Sequence, residues 1–284
     1  MRPLVLHNNG ARKSTFKSRG YLYFDQITRQ LLRDRDILMV ASPCTGVDIV
    51  VCHNLHSSIT EATLKHVGAK YHRLGTGLKS WENLLKIRLT LDFLERSTAE
   101  YILHLDGGDV AICGDPVTVV ERFEARRDCE LLLGAELEPW PGYQELRRCE
   151  EDVDKIARIE QFERTHATGP YRHLNSGCYI GRRLFLRRFL NDAWDLRGFL
   201  HSPEFQGSDQ VLFRELYRTH YPAVRLDERA EIFQCLFAVP RDQIRTKYLL
   251  SDGLCSRVKQ ASLVKQKWND VYRDRKWRLV LLCY

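Results

Sequence analysis

The sequence predicts an α/β chain on a Rossmann-type, mostly parallel central sheet flanked by helices, folded as a single domain. Two observations predict it. From Asp48 to Leu105, short apolar runs alternate with longer segments of helical periodicity, the pattern of βαβ units whose strands lie parallel. One of these runs, Tyr101-Ile-Leu-His-Leu105, leads straight into Asp106-Gly-Gly-Asp109. Open α/β sheets carry their ligands off the carboxyl ends of the strands. The length of 284 residues, with 44% apolar and 29% charged residues, suffices for one large domain.

Leu4-Val-Leu6 is a short apolar strand, and His7-Asn-Asn-Gly10 after it has turn composition. That loop is either a plain turn or a place for a nucleotide base and ribose, with His7 and Asn8 as contacts. Residues 11–20 hold Arg12, Lys13, Lys17 and Arg19, as solvated surface or as a phosphate-attracting loop. Leu22, Phe24, Ile27, Leu31 and Leu32 recur near helical spacing. Asp48–Cys52 is a second buried strand. Ser57 or Ser58 caps a helix over Ile59–Val67, and Gly68 suits its end. Lys70–Leu74 is a third strand. Gly75-Thr-Gly-Leu-Lys79 bears glycines but lacks the spacing of a Walker A or dinucleotide loop, so Lys79 is either exposed surface or a diphosphate contact. Over Trp81–Arg96, Leu84, Ile87, Leu91 and Leu94 share one helical face.

The stretch from Tyr101 to Ile112 is the one the rest of the chain serves. His104 is the single polar residue among Tyr101, Ile102, Leu103 and Leu105. Charged groups at a sheet end are costly unless paired or metal-bound, and two close carboxylates raise each other's pKa unless a cation separates them. Asp106 and Asp109 therefore read either as a divalent-cation site or as a solvated Asp-Gly-Gly-Asp turn. Asp115 and Pro116 start a helix as N-cap and first helical residue. Glu130–Glu136 is a strand ending in another carboxylate, followed by Trp140-Pro141. Residues 143–168, rich in Glu and Arg, read as an exposed insertion, a helix or a mobile lid. Asn175-Ser-Gly177 enters a strand over Cys178–Ile180, as a simple turn or as donors to a sugar. Leu184–Trp194 is a basic amphipathic helix. Ser208-Asp-Gln210 caps a helix over Val211–Tyr217, which gives Asp209 a structural reading. Residues 224–234 alternate strand and turn. Past residue 240 the pattern degrades until the apolar Leu279–Leu282.

The net charge of +7 fits an acidic ligand such as a nucleotide, or a polyanionic partner, although basic residues are interspersed with acidic ones. The nine cysteines are scattered with no C-x-x-C, against a disulfide framework or zinc site and for a reducing compartment. No apolar run approaches a membrane span, and the apolar segment after Met1 is short for a signal peptide, so a cytoplasmic protein without a transmembrane segment is expected.

Leu105-Asp-Gly-Gly-Asp109, Ala135-Glu136 with Trp140-Pro141, Leu174-Asn-Ser-Gly177 with Ile180-Gly181, Ser208-Asp-Gln210 and Ile232-Phe-Gln234 occur in that order. Together they resemble the glycosyltransferase domain of the procollagen lysyl hydroxylase and glycosyltransferase family, over roughly residues 75–235. The resemblance implies a GT-A fold with a nucleotide-binding half over 1–115, a sugar and acceptor half over 116–240 and a divergent C-terminal segment over 241–284. It implies transfer of a glucose- or galactose-type hexose from a UDP-sugar to a hydroxyl acceptor: a protein, a glycan, a lipid-linked sugar or a modified nucleic-acid base. Mn2+ or Mg2+ would sit on Asp106 and Asp109. Lys79 would lie near the diphosphate, and Glu136, Trp140, Asn175 and Ser176 would line the sugar pocket. Asp209 would stand near the reacting sugar. Gly108 would face the nucleotide, without the ring the family's pattern has at that point. One departure stands out: the family's His-Gly-Asn-Gly-like segment, source of a third metal ligand, has no counterpart after His220. A non-catalytic nucleotide-sugar-binding protein and a UDP-sugar hydrolase are the alternatives.

Overall fold

The computed structural model describes residues 4–7, 45–56, 58–127, 129–150, 152–198, 205 and 207–236, with the backbone of 244–250, 259–262 and 277–283. Asn8, the basic stretch 11–20, the helical spacing over 22–32 and the capping role of Ser57 lie outside the described residues.

The strands are β1 (Val5–His7), β2 (Val47–Cys52), β3 (His72–Leu74), β4 (Tyr101–Asp106), β5 (Val110–Ile112), β6 (Leu131–Glu136), β7 (His173–Arg182), β8 (Val224–Leu226), β9 (Phe233–Cys235), β10 (Ile244–Leu250), β11 (Lys259–Ser262) and β12 (Trp277–Cys283). The α-helices are α1 (Ile59–His66), α2 (Leu84–Leu94), α3 (Pro116–Glu124), α4 (Tyr143–Cys149), α5 (Val153–His166), α6 (Arg183–Asp195) and α7 (Asp209–His220). Six strands form the main sheet in the order β3-β2-β4-β7-β6-β8. All run the same way except β7, which is antiparallel to both of its neighbours. The chain is thus an α/β protein with a mixed, mostly parallel sheet. A smaller sheet has the order β5-β1-β9, and β10 pairs antiparallel with β11 and β12.

Both faces of the main sheet are covered, which explains why its strands read as continuous apolar runs. Ile102, Val50, Leu133 and Tyr179 face a layer built from Ile87 and Leu94 of α2, Phe189 and Leu190 of α6 and Phe213 and Leu216 of α7. Leu103, Leu105, Val51 and Ile180 face the other way, against Leu64 of α1 and Val119 and Phe123 of α3. The strand period of two divides β4 between these layers. The predicted caps form: the Ser58 side chain accepts from Glu61 N at 3.1 Å, and Asp115 Oδ1 accepts from Val117 N at 3.0 Å.

Three expectations need correction. The stretch 143–168 is helical, as one reading had it, with α4 and α5 in it, but it is not an exposed insertion: Tyr143, Leu146, Ile156 and Ile159 pack with Phe205 and Val211 in a core of their own. The Arg and Glu content that suggested solvent exposure includes the wholly buried Glu163, paired with the equally buried Arg214 of α7. Asn175-Ser-Gly177 is not a turn. It lies inside β7, beside a register shift between Leu133 and Gly134 of β6. Helix α7 begins at Asp209, so Ser208 and not Asp209 takes the N-cap position, and Ser208 makes no side-chain cap bond.

The small sheet decides where β1 goes. β1 runs parallel to β9 and antiparallel to β5, with Val5 N donating to Ile232 O at 2.9 Å and Leu236 N donating to His7 O at 2.9 Å. Asp227 prepares β9 for this, because its buried carboxylate accepts from Ile232 N and Phe233 N, both at 2.7 Å. Among the described residues, no helix is long and apolar enough to cross a membrane, and Cys52, Cys178 and Cys235 are free thiols.

Candidate metal centre

β4 ends at Asp106, and the loop to β5 is held from below by α1. Thr60 Oγ1 donates to Asp106 O at 2.7 Å and, in the alternative rotamer of its hydroxyl hydrogen, to Val110 O at 3.0 Å, bridging both ends of the loop. Ser58 Oγ donates to Gly107 O, and Gly107 N donates to Cys52 O at 3.2 Å. Gly107 admits no side chain, since a Cβ there would stand 2.0 Å from the His53 ring. This loop is not a solvated turn. Asp109 is 6% exposed, and the Asp106 side chain is 22% exposed.

His7 is delivered to the same point by β1. Its Nε2 lies 3.5 Å from Asp109 Oδ1, and one ligand atom each from His7, Asp106 and Asp109 lie within 4.8 Å of one another. Octahedral ligands about 2.1 Å from a cation are about 3–4.2 Å apart, so the cluster is near the size a small divalent ion requires. Gly177 makes the approach feasible. A Cβ on it would lie 2.3 Å from His7 Cε1 and 2.9 Å from Asp106 Oδ2. One imidazole nitrogen and two carboxylates form a donor set that suits Mn2+, and Mg2+ less well because of the nitrogen. The residues present fit such an ion.

A buried lysine joins this cluster to α7. Lys86 Nζ lies 3.1 Å from Asp106 Oδ1 and 2.8 Å from Asp209 Oδ2. Burial opposes the charge on Lys86, but Asp106 and Asp209 outweigh it and hold the ammonium above the ordinary lysine value. Burial likewise opposes ionisation of Asp106, and Lys86, with His104 and His7, outweighs it and holds the carboxyl below the usual carboxylate range. Asp209 is therefore the partner of Lys86 rather than a helix cap. Beneath Asp106, burial keeps the His104 imidazole below its ordinary pKa and so neutral near pH 7.

A second polar group borders the first through β7. Gln210 Nε2 donates to Glu136 Oε1 at 2.7 Å and to Trp140 O at 2.6 Å, while Asn175 Nδ2 donates to Glu136 Oε2 at 3.3 Å. Ser176 N donates to Gln210 Oε1 at 3.4 Å. Burial pushes the Glu136 carboxyl up to about 8, against the pull of the Gln210 and Asn175 amides. Behind this wall Arg214 donates to Glu163 Oε1 at 2.8 Å and to Pro141 O at 2.9 Å, fixing the loop that carries Trp140.

Of the residues singled out from sequence, the structure gathers His7, Asp106 and Asp109 around one point, joins Asp209 to Asp106 through Lys86, and sets Glu136, Trp140, Asn175 and Ser176 around Gln210. Lys79 and Gly108 are exposed, Gly108 in the loop between Asp106 and Asp109. A Cβ on Gly108 would meet only Leu55, at 3.5 Å. Sequence reasoning missed Lys86 and Gln210. Lys86 shares a buried helical face with Thr90 and Phe93, a spacing visible in the sequence once that face is known to meet the sheet. It also gave His7 to a nucleotide rather than to the carboxylates, because their partner lies some hundred residues away along the chain. No known protein family matches the chain, and comparison with characterised proteins finds no significant relative.

Proposed function

We propose that this chain is a metal-dependent glycosyltransferase of GT-A type that moves a hexose from a UDP-sugar to a hydroxyl acceptor. The observation that carries the reading is the convergence of His7, Asp106 and Asp109 at the carboxyl end of the central strand. The absence of a histidine after His220 was the ground for a non-catalytic alternative. That ground weakens, because His7-Asn-Asn-Gly10 has the His-x-Asn-Gly order of the family's missing segment, at the opposite end of the chain. β1 lies directly beside β9, with His7 opposite Cys235, and this pairing brings His7 itself to Asp109.

A divalent cation held by His7, Asp106 and Asp109 would act as a Lewis acid on the charge that builds on a leaving diphosphate. The chain's own residues do the rest. Lys86 places a fixed positive charge between Asp106 and Asp209. Asp209, ion-paired and buried, supports positive charge at an oxocarbenium-like sugar. Gln210, Asn175 and Glu136 present a rigid polar wall to hydroxyl groups, with Glu136 neutral and able to donate a hydrogen bond below about pH 8.

The test is stabilisation by UDP. With Mn2+ present, UDP at about a hundred times its dissociation constant adds about 2.7 kcal/mol to unfolding. In excess EDTA the same UDP concentration adds little. Equal stabilisation in both conditions would remove the cation from the reading. A screen of UDP-sugars for release of UDP, with candidate acceptors, then identifies donor and acceptor.

A further inference from the structure

We propose that His104 is a positioning residue for the metal centre, whose Nε2, turned toward Asp106 Oδ1 at 3.9 Å, favours the orientation in which that oxygen faces inward and the other stays available to a cation. This rests on the metal-site reading above. His104 is the one polar residue in the apolar run of β4, and it is completely buried. A buried imidazole on a central strand is costly unless its nitrogens find partners. Its ring lies flat on Tyr179, with centroids 4.3 Å apart and planes 5° apart. Its Nδ1 lies 3.5 Å from Thr90 Oγ1 and 4.0 Å from Cys52 Sγ. Its Nε2 makes no hydrogen bond among the described residues and faces Asp106 Oδ1 at 3.9 Å.

The two oxygens of Asp106 have different surroundings. Oδ1 is nearer to Lys86 Nζ, at 3.1 Å against 3.4 Å for Oδ2, and it is the oxygen that faces His104. Oδ2 lies against Gly177, on the side where the His7 ring passes. In the tautomer in which the Thr90 hydroxyl donates to Nδ1, the ring proton stands on Nε2, on the side of Oδ1. An apolar ring at this position would stack on Tyr179 equally well and offer Asp106 nothing. Groups that orient a ligating carboxylate change metal affinity by about 10–100-fold.

The experiment titrates Mn2+ into the full chain and follows the free-ion EPR signal for the parent, His104→Phe, His104→Gln and Thr90→Val. Melting temperatures in EDTA report the fold separately. His104→Phe should bind Mn2+ about 10-fold more weakly with its metal-free melting temperature kept, and His104→Gln, which retains a donor, should stay within about threefold of the parent. Thr90→Val leaves His104 in place and should weaken binding by an intermediate factor, and it carries the test if His104→Phe does not fold. Parent-like affinity in His104→Phe, or in Thr90→Val where that variant carries the test, overturns the proposal and leaves a core histidine. Equal losses in the Phe and Gln variants overturn the donor role. A parent that binds no Mn2+ overturns the metal-site reading itself, an outcome distinct from the other two.

Discussion

Replacing Gly177 with alanine adds one methyl group at the point where the candidate ligands meet. The new Cβ would stand 2.3 Å from His7 Cε1, 2.8 Å from His7 Nε2 and 2.9 Å from Asp106 Oδ2, all below the 3.0 Å that real Cβ contacts respect. Gly177 is not in the left-handed region, so alanine brings no backbone strain and the effect is steric alone. The His7 ring has to retreat by roughly an ångström, and its strand is held by short ladders on both sides, so overpacking should cost about 1–3 kcal/mol. The same retreat takes Nε2 away from Asp109, and Mn2+ affinity should fall at least about 10-fold, the scale seen when groups around a metal are displaced. Urea unfolding in EDTA measures the first quantity, and Mn2+ titration the second. A double-mutant cycle with His7→Ala isolates the cause. With the imidazole gone, most of the stability cost of Gly177→Ala should vanish while Mn2+ binding stays weak. A cost that is unchanged in the His7→Ala background would show that the methyl group collides with something else, and the account of Gly177 as the gap that admits His7 would fail.

Other consequences can be measured on the same protein. Lys86→Met leaves Asp106 and Asp209 without their shared ammonium in a buried setting and should cost about 3–5 kcal/mol in urea unfolding without metal. A loss below about 1 kcal/mol would mean that the pair is screened by water. Glu136 gives a pH signature. Its folded pKa of about 8 lies above the ordinary 4.5, so its stabilising contribution is complete below 4.5 and is lost as pH rises towards 8. Relative to the parent, Glu136→Gln should gain about 1.4 kcal/mol of stability per pH unit across that window. Parallel stability curves for the two proteins would place Glu136 in its ionised form throughout.

The sequence by itself determined the local chemistry of the fold. Alternation of apolar runs and helical periodicity gave β2, α1, β3, α2 and β4 in order, because a strand buried on both faces and an amphipathic helix each leave a pattern within one element's length. Ser58 and Asp115 were readable as caps for the same reason, since each acts on backbone groups two or three residues away. Asp106 and Asp109 were readable as an unusual ending to a buried strand. What the sequence could not decide is what meets across the sheet. β7 takes in Asn175-Ser-Gly177 only because β6 offers a partner with a shifted register, and α5 looks polar until Arg214 of α7 is set against Glu163. Lys86 reads as an ordinary charged position on a helix, and it becomes the link between Asp106 and Asp209 only when α2 packs beside α7. His7 is the clearest case. The turn composition of His7-Asn-Asn-Gly10 does not show which carboxylates His7 meets. Hydrogen bonding of β1 between β5 and β9 brings the first described residues of the chain to Asp109. Strand pairing is blind to distance along the sequence, so only the tertiary structure could put that third group in place.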